Sequence, residues 1–168
     1  MAAPDRAETD DGAPGTGEFR GAMSRFPTGV TVITALTGAG PAGLSANAVS
    51  SLSLEPQLML ACVDRGSRTL RALEEAGRFG FNVLEAGNAE LALGFARNLP
   101  VEETWQGVGS AERSRIPIRD AAIVWIGVEL RDVISGGDHV IVTGEVLDVA
   151  ERAGRPLIFH EGEYRDLP

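Results

Sequence analysis

The chain has 168 residues, 43% of them hydrophobic, and a net charge of −9. One domain with a core of its own is the expectation at this length, and so acidic a surface repels phosphate backbones, so no nucleic-acid partner is expected. All 15 basic residues are arginine, so neither lysine Schiff-base chemistry nor a P-loop lysine is available.

Residues 1–17 are mostly Ala, Pro, Gly, Asp and Glu with little to bury, and read as a disordered acidic tail ahead of one domain over 18–168. No basic stretch leads into an apolar one, so no secretory signal is expected. Nor does any apolar run approach the ~18 to 20 residues of a membrane span. A cytoplasmic protein without membrane attachment is the expectation. Phe19, Met23 and Phe26 recur at i, i+4, i+7 and predict a short amphipathic helix that Pro27 ends.

Residues 30–35 are rich in β-branched side chains and predict a strand. A Gly-rich turn over 37–43 follows, and residues 44–51 read as the returning strand of a hairpin, closed by Pro56. Residues 58–63 predict a short buried strand. It contains Cys62, the single cysteine, which rules out an internal disulfide and a cysteine-rich metal site. Flanked by apolar residues, Cys62 reads as a buried structural thiol. Ser67 suits the N-cap of a helix running to Ala76, with Gly77 at its C-terminal cap. Residues 79–84 form another strand. Asn88 suits the cap of a second helix through Arg97, ended by Pro100.

Residues 98–120 read as irregular, polar and Arg-rich, with Trp105 their one aromatic side chain. Residues 121–133 and 139–149 predict two long strands about a turn at Ser135-Gly136-Gly137-Asp138. A small hairpin around Gly162 closes the chain. About seven strands and two or three short helices give a mainly β, largely antiparallel fold: a closed or nearly closed barrel with helices at its mouth.

Gly38-Ala39-Gly40-Pro41-Ala42-Gly43 matches G-x-G-x-x-G. A dinucleotide fingerprint needs a helix opening within the glycines. Pro41 and the serine-rich stretch at 45–53 disfavour that helix, so a hairpin turn is the better account.

An ordered set of motifs carries a family resemblance. It opens with Phe19-Arg20-x-Ala22-Met23-x-x-Phe26-Pro27-Thr28-Gly29-Val30-Thr31-Val32. Gly43-Leu44-Ser45-Ala46-Asn47, Ser51-Leu52-Ser53-Leu54-Glu55-Pro56 and Cys62-Val63-Asp64-Arg65-x-Ser67-x-Thr69 follow. Then come Phe79-Gly80-Phe81-Asn82-Val83-Leu84, Leu91-Ala92-x-x-Phe95-Ala96, Gly137-Asp138-His139 with Gly144-Glu145-Val146, and Pro156-Leu157 with Gly162-x-Tyr164. Over residues 19–166 the chain resembles the short-chain flavin reductases of two-component monooxygenases, which have an FMN-binding split barrel. It departs from the family pattern at Ala48-Val49, at Gln57 and at Thr104-Trp105, where a Lys-Phe pair is common.

The resemblance implies an NAD(P)H-dependent reductase of FMN or FAD. It implies a homodimer and a separate monooxygenase fed by diffusion of reduced flavin. Ser45, Ala46, Asn47 and Ala48 would line the pyrimidine edge of the isoalloxazine; Asn47 offers both a donor and an acceptor. Ser51, Cys62 and Phe95 belong to the same implied flavin site. Ser67 and Thr69 would hold the phosphate at a helix N-terminus, with Arg68 or Arg97 as charge partner; Ser67 as a plain N-cap is the alternative. His139 and Tyr164 would meet the nicotinamide; a turn residue hydrogen-bonded to Asp138 is the alternative for His139. No catalytic side chain is assigned, since hydride transfer needs no protein acid or base, and no metal, since two distant histidines lack the clustering that zinc needs. Two other activities stay open: an enzyme of this fold that retains its flavin and acts on a small organic substrate, and a non-enzymatic flavin- or haem-binding barrel.

Overall fold

The structure, a computed structural model, describes residues 13–97, 99, 101–105 and 110–167. The expected tail lies outside the described residues up to residue 12. Helix α1 (Thr16–Ser24) opens the described fold, two residues ahead of the expected domain boundary. The β-branched run after Pro27 becomes β1 (Thr28–Gly29) and β2 (Thr31–Thr37). Next come β3 (Gly40–Ala46), β4 (Val49–Leu54), β5 (Gln57–Asp64), α2 (Arg68–Ala76), β6 (Arg78–Leu84) and α3 (Ala89–Ala96). The second half holds α4 (Val101–Trp105), β7 (Ser110–Arg113), β8 (Ile116–Arg119), β9 (Ala122–Gly136), β10 (His139–Glu151), β11 (Leu157–His160) and β12 (Glu163–Asp166).

Seven strands form one antiparallel sheet in the order β3-β2-β6-β9-β10-β5-β4. Its two end strands, β3 and β4, are joined by Asn47 and Ala48 alone. Three Cα steps separate Ala46 from Val49, at most about 11 Å. The two ends of the sheet are therefore forced together, and the sheet curls into a barrel with a split between β3 and the β4–β5 pair. A backbone hydrogen bond from Cys62 to the Ala48 carbonyl (2.9 Å) fixes this crossover. A small sheet, β1-β11-β12, and the β7–β8 hairpin complete the strands.

Two buried clusters use opposite faces of β2. Ile33 and Ala35 pack with Phe79, Phe81, Val63 and Val142 beneath Leu70 and Leu73 of α2. Val32, with Val30, packs with Leu84, Leu157 and Ala92 and Phe95 of α3. Between them lies a polar node. The Asn82 amide donates to the Val32 carbonyl (2.9 Å) and Thr34 Oγ1 (3.0 Å), and its oxygen accepts from the Arg119 N–H (2.8 Å). Thr34 in turn donates to the Pro117 carbonyl (2.6 Å). Asn82 thus satisfies its own buried amide and anchors β8 to the barrel.

The antiparallel barrel, the closing hairpin and α2 follow the expectation, and the turn expected at 135–138 narrows to Gly137-Asp138 because β9 runs on to Gly136. Ser67 Oγ accepts from the Thr69 N–H, and Gly77 takes φ +63° at the C-terminal cap, a conformation glycine adopts without a Cβ penalty. No helix opens within the 38–43 glycines: β3 starts at Gly40. Pro41 is tolerated there because β3 is a terminal strand.

Several expectations need correction. Residues 44–51 are not one returning strand, since the chain leaves β2 after Ala46 and joins β5 at Val49. Residues 98–120 include α4 and the β7–β8 hairpin, whose turn at Ser114 and Arg115 has positive φ (54° and 63°) without the glycine that would announce it. Asn88 does not cap α3 through its side chain; its amide donates back to Glu85 and Ala86. The apolar face of α1 buries no residue, with Phe19, Met23 and Phe26 between 49% and 65% exposed. Among the described residues no helix is long and apolar enough to cross a membrane.

Candidate functional site

Three adjoining cavities follow the split from α2 to α1. The first, about 170 Å³, is lined by Ala42 and Gly43 of β3, Arg68 and Thr69 of α2, and Phe95 and Trp105. The second, about 180 Å³, lies further along β3 between Ser45, Ala46 and Asn47, Ala96 of α3, and the Phe159–Tyr164 ring pair. The third, about 490 Å³, lies under α1, between Phe19, Arg20, Met23 and Phe26 and the residues Thr28, Asn47, Ala48 and Phe159. Consecutive residues of α3, Phe95 and Ala96, flank the first two cavities. Asn47 and Phe159 are shared by the second and third. From Gly43 to Asn47 the strand advances about 13 Å, so the groove suits an elongated ligand.

The chain builds this groove by stapling two helices onto β3. Thr69 Oγ1 donates to the Gly43 carbonyl (3.0 Å), and Ser45 Oγ donates to the Ala92 carbonyl (2.6 Å). A Cβ on Gly43 would lie 2.7 Å from Phe95 Cε1, so glycine lets the ring rest directly on the strand. Because the Gly43 carbonyl faces α2, it faces away from β2. Residues two apart on a strand present their backbone groups to the same side. Ser45 therefore turns its own toward the split as well, and Asn47 follows just past the end of the strand.

The donor set matches a flavin. The split offers backbone N–H and C=O groups and the Asn47 amide, which makes no hydrogen bond within the described residues. That alternation suits the C=O and N–H edge of a flat heterocycle. At the other end, Arg68 and the first turn of α2 bring positive charge and N–H groups to one cavity, as an anion requires. In the third cavity, Thr28 Oγ1 is buried without a partner in the described residues.

Ser45, Ala46, Asn47, Ala48, Thr69, Phe95 and Tyr164 are thus brought together along one groove. Ser51, Cys62, Ser67, Arg97 and His139 lie outside the linings of these three cavities. Ser51 is exposed on β4 and Arg97 is exposed at the end of α3. Cys62 is half-buried, not fully buried: Ala61 and Val63 take the core-facing positions, and Cys62 points to the opposite side of β5. The hydroxyl of Ser67 is engaged in capping α2. His139 Nδ1 lies 2.8 Å from Asp138 Oδ1, the bond of the turn alternative. This hydrogen bond, with the charge of His139 behind it, holds the Asp138 carboxyl below its ordinary pKa; Arg20 of α1 adds a smaller pull. Burial pushes the Tyr164 phenol up, so it stays protonated at neutral pH. Among the described residues no cluster of His, Cys, Asp or Glu could hold a metal.

Sequence reasoning missed three contributors. Phe159 sits in the closing hairpin, opposite Tyr164, and divides two cavities. Thr28 stands in the opening motif without an assigned role. Arg119, fully buried, lies behind Phe95 and Trp105. Burial pulls its guanidinium below the ordinary pKa, and Asp120 partly offsets this.

A curled antiparallel barrel with a ligand groove along its split defines a class of flavin-binding barrels. The chain belongs to one family within it: the family model described as flavin reductase like domain matches residues 23–168. A probable flavin reductase of Rhizobium meliloti is 40% identical over 148 residues, 87% of this chain and 47% of the relative, so the chain spans about half of that protein. The reductase subunit HsaB of a flavin-dependent monooxygenase from Mycobacterium tuberculosis is 33% identical over 153 residues, covering 89% of this chain and 81% of its own. The solved structure of the Streptomyces globisporus NADH:FAD oxidoreductase SgcE6, in complex with NAD and FAD fragments, superposes with a TM-score of 0.84 at 31% identity, covering 90% of this chain and 92% of that one.

Proposed function

We propose that the chain is an NAD(P)H-dependent flavin reductase, passing hydride from nicotinamide to FMN or FAD and supplying the reduced flavin to a separate monooxygenase. The observation that carries this reading is the continuity of the groove: an anion-binding end at Arg68 and Thr69, a polar strand edge at Ser45–Asn47, and a further cavity beyond Asn47 and Phe159. When bound, the flavin supplies the hydride acceptor. Arg68, Thr69 and the α2 N-terminus hold its phosphate, while Ser45, Ala46, Asn47 and Ala48 hold its pyrimidine edge. Ala96, Val30 and Phe159 keep water from the ring. The cavity under α1, with Arg20 near the Asp138–His139 corner, takes the nicotinamide. The work of these residues is binding and alignment, and no side chain exchanges a proton in the hydride step. A cytoplasmic setting, where reduced nicotinamides are held, goes with this reading.

A homodimer is part of the same proposal. Phe19 and Met23 on α1, Phe26 just after it, and Leu52 and Leu54 on the terminal strand β4 are exposed apolar side chains. A two-fold interface over them would bury this surface beside the third cavity. Light scattering that finds a monomer with full flavin affinity would remove the dimer from the proposal.

The test of the activity is flavin titration followed by steady-state NADH oxidation with and without added FMN or FAD. Oxidation that depends on added flavin and saturates with it is expected. A flavin that copurifies and turns over without any addition would instead indicate a retained-flavin enzyme. Flavin binding without NADH oxidation would indicate a non-enzymatic barrel.

A further inference from the structure

Arg119 ends β8 with none of its surface exposed. Its guanidinium carbon lies 4.5 Å from the centroid of the Trp105 ring and 5.6 Å from that of Phe95. The two rings meet edge to face, 5.6 Å apart at 88°. Both line the cavity that Arg68 and Thr69 close from the α2 side. The base of the arrangement is fixed, since the Arg119 N–H donates to the fully buried Asn82.

Stability alone is a poor reason for this charge. Replacing buried ionic groups by packed apolar ones is often neutral or stabilising. What the guanidinium adds is orientation and field. A cation over two aromatic faces holds both rings in place. A charge behind a thin apolar wall also acts through a low dielectric on whatever lies in front of it. Arg68, the N-terminus of α2 and Arg119 then all direct positive potential at one cavity.

We propose that Arg119 is a positioning residue for the phosphate end of the flavin: it fixes the Trp105–Phe95 wall and makes binding depend on the phosphate. The proposal rests on the flavin reductase reading above. The test compares FMN with riboflavin, which lacks the phosphate, on the full-length protein. Arg119→Met should raise the Kd for FMN about tenfold while the Kd for riboflavin changes less than about twofold. Arg119→Lys, which keeps the charge, should recover most of the FMN affinity. In turnover, KM for FMN should rise while KM for NADH and kcat at saturating FMN hold. Trp105→Leu removes the supported ring from a partly exposed position and should give the same selective loss, which keeps the test decisive if Arg119→Met fails to fold. Equal weakening of FMN and riboflavin, or unchanged FMN affinity, in either folded variant would overturn the proposal alone. A wild-type protein that binds neither flavin would overturn the functional reading and this proposal with it.

Discussion

Thr69 donates its hydroxyl to the Gly43 carbonyl across 3.0 Å, tying the first turn of α2 to the strand that borders the split. The bond sets the width of the first cavity, because both residues line it. Thr69→Val keeps the shape and deletes the donor. Loss of one such bond costs roughly 0.5 to 1.5 kcal/mol, more if the carbonyl is left buried and unpaired. The expected outcome is a modest fall in the denaturation midpoint together with a several-fold rise in the Kd for flavin. A variant that loses stability and keeps its flavin affinity would place Thr69 in the scaffold only.

Asn47 gives the opposite pattern. Its side chain is exposed at the crossover and makes no hydrogen bond within the described residues, so folding does not depend on it. Asn47→Ala should leave the melting temperature of the apo protein essentially unchanged. Flavin affinity should fall by about two- to tenfold, the equivalent of one hydrogen bond. An unchanged affinity would remove Asn47 from the site.

The contrast between these two residues shows what the sequence could disclose. Local signals read well: the β-branched run at 31–34, the Ser67 and Gly77 caps, and the turn at Gly137-Asp138 lie where their chemistry predicts. What failed depended on partners distant in sequence. The break at Asn47-Ala48 exists because two adjacent segments pair with different strands, β2 and β5, and nothing in their residues marks the switch. The β7–β8 turn uses Ser114 and Arg115 at positive φ, which composition does not announce. The groove residues of β3 were found by their small polar side chains. Phe159 and Arg119 were not, because an apolar strand residue and a lone arginine carry no local mark of what they will face.

The Glu85–Arg152 pair makes a pH prediction. Arg152 Nη2 lies 2.6 Å from Glu85 Oε2, and Arg152 Nε donates to the Ala122 carbonyl (3.0 Å), joining the ends of β6, β9 and β10. The hydrogen bond from Arg152 holds the Glu85 carboxyl below its ordinary pKa; burial opposes this, and the charge of Arg152 adds a smaller downward pull. A depressed carboxyl stabilises the fold above its unfolded pKa and loses that contribution as pH falls through the folded one. Glu85→Gln should therefore melt below wild type at pH 7, and the gap should close as the pH is taken below about 4. The pair is substantially exposed, so the gap at pH 7 should be small and shrink with salt. A gap that persists undiminished at low pH would show that the ion pair is not its source.

His139 starts β10 beside the turn, with its side chain 45% exposed and Asp138 still more open. So exposed a pair contributes little to folding, which separates the two readings of this residue. As a turn residue, His139 can be lost with little effect on stability or on either ligand. As a nicotinamide contact, its loss removes one hydrogen bond of about 1 kcal/mol, roughly a fivefold effect. Arg20, which lines the cavity under α1, also acts on Asp138, so that cavity and the His139 corner are electrostatic neighbours. His139→Ala should raise KM for the reduced nicotinamide about fivefold, with flavin Kd and melting temperature unchanged. Wild-type KM for both NADH and NADPH in the folded variant would return His139 to the turn and leave the α1 cavity to bind the nicotinamide without it.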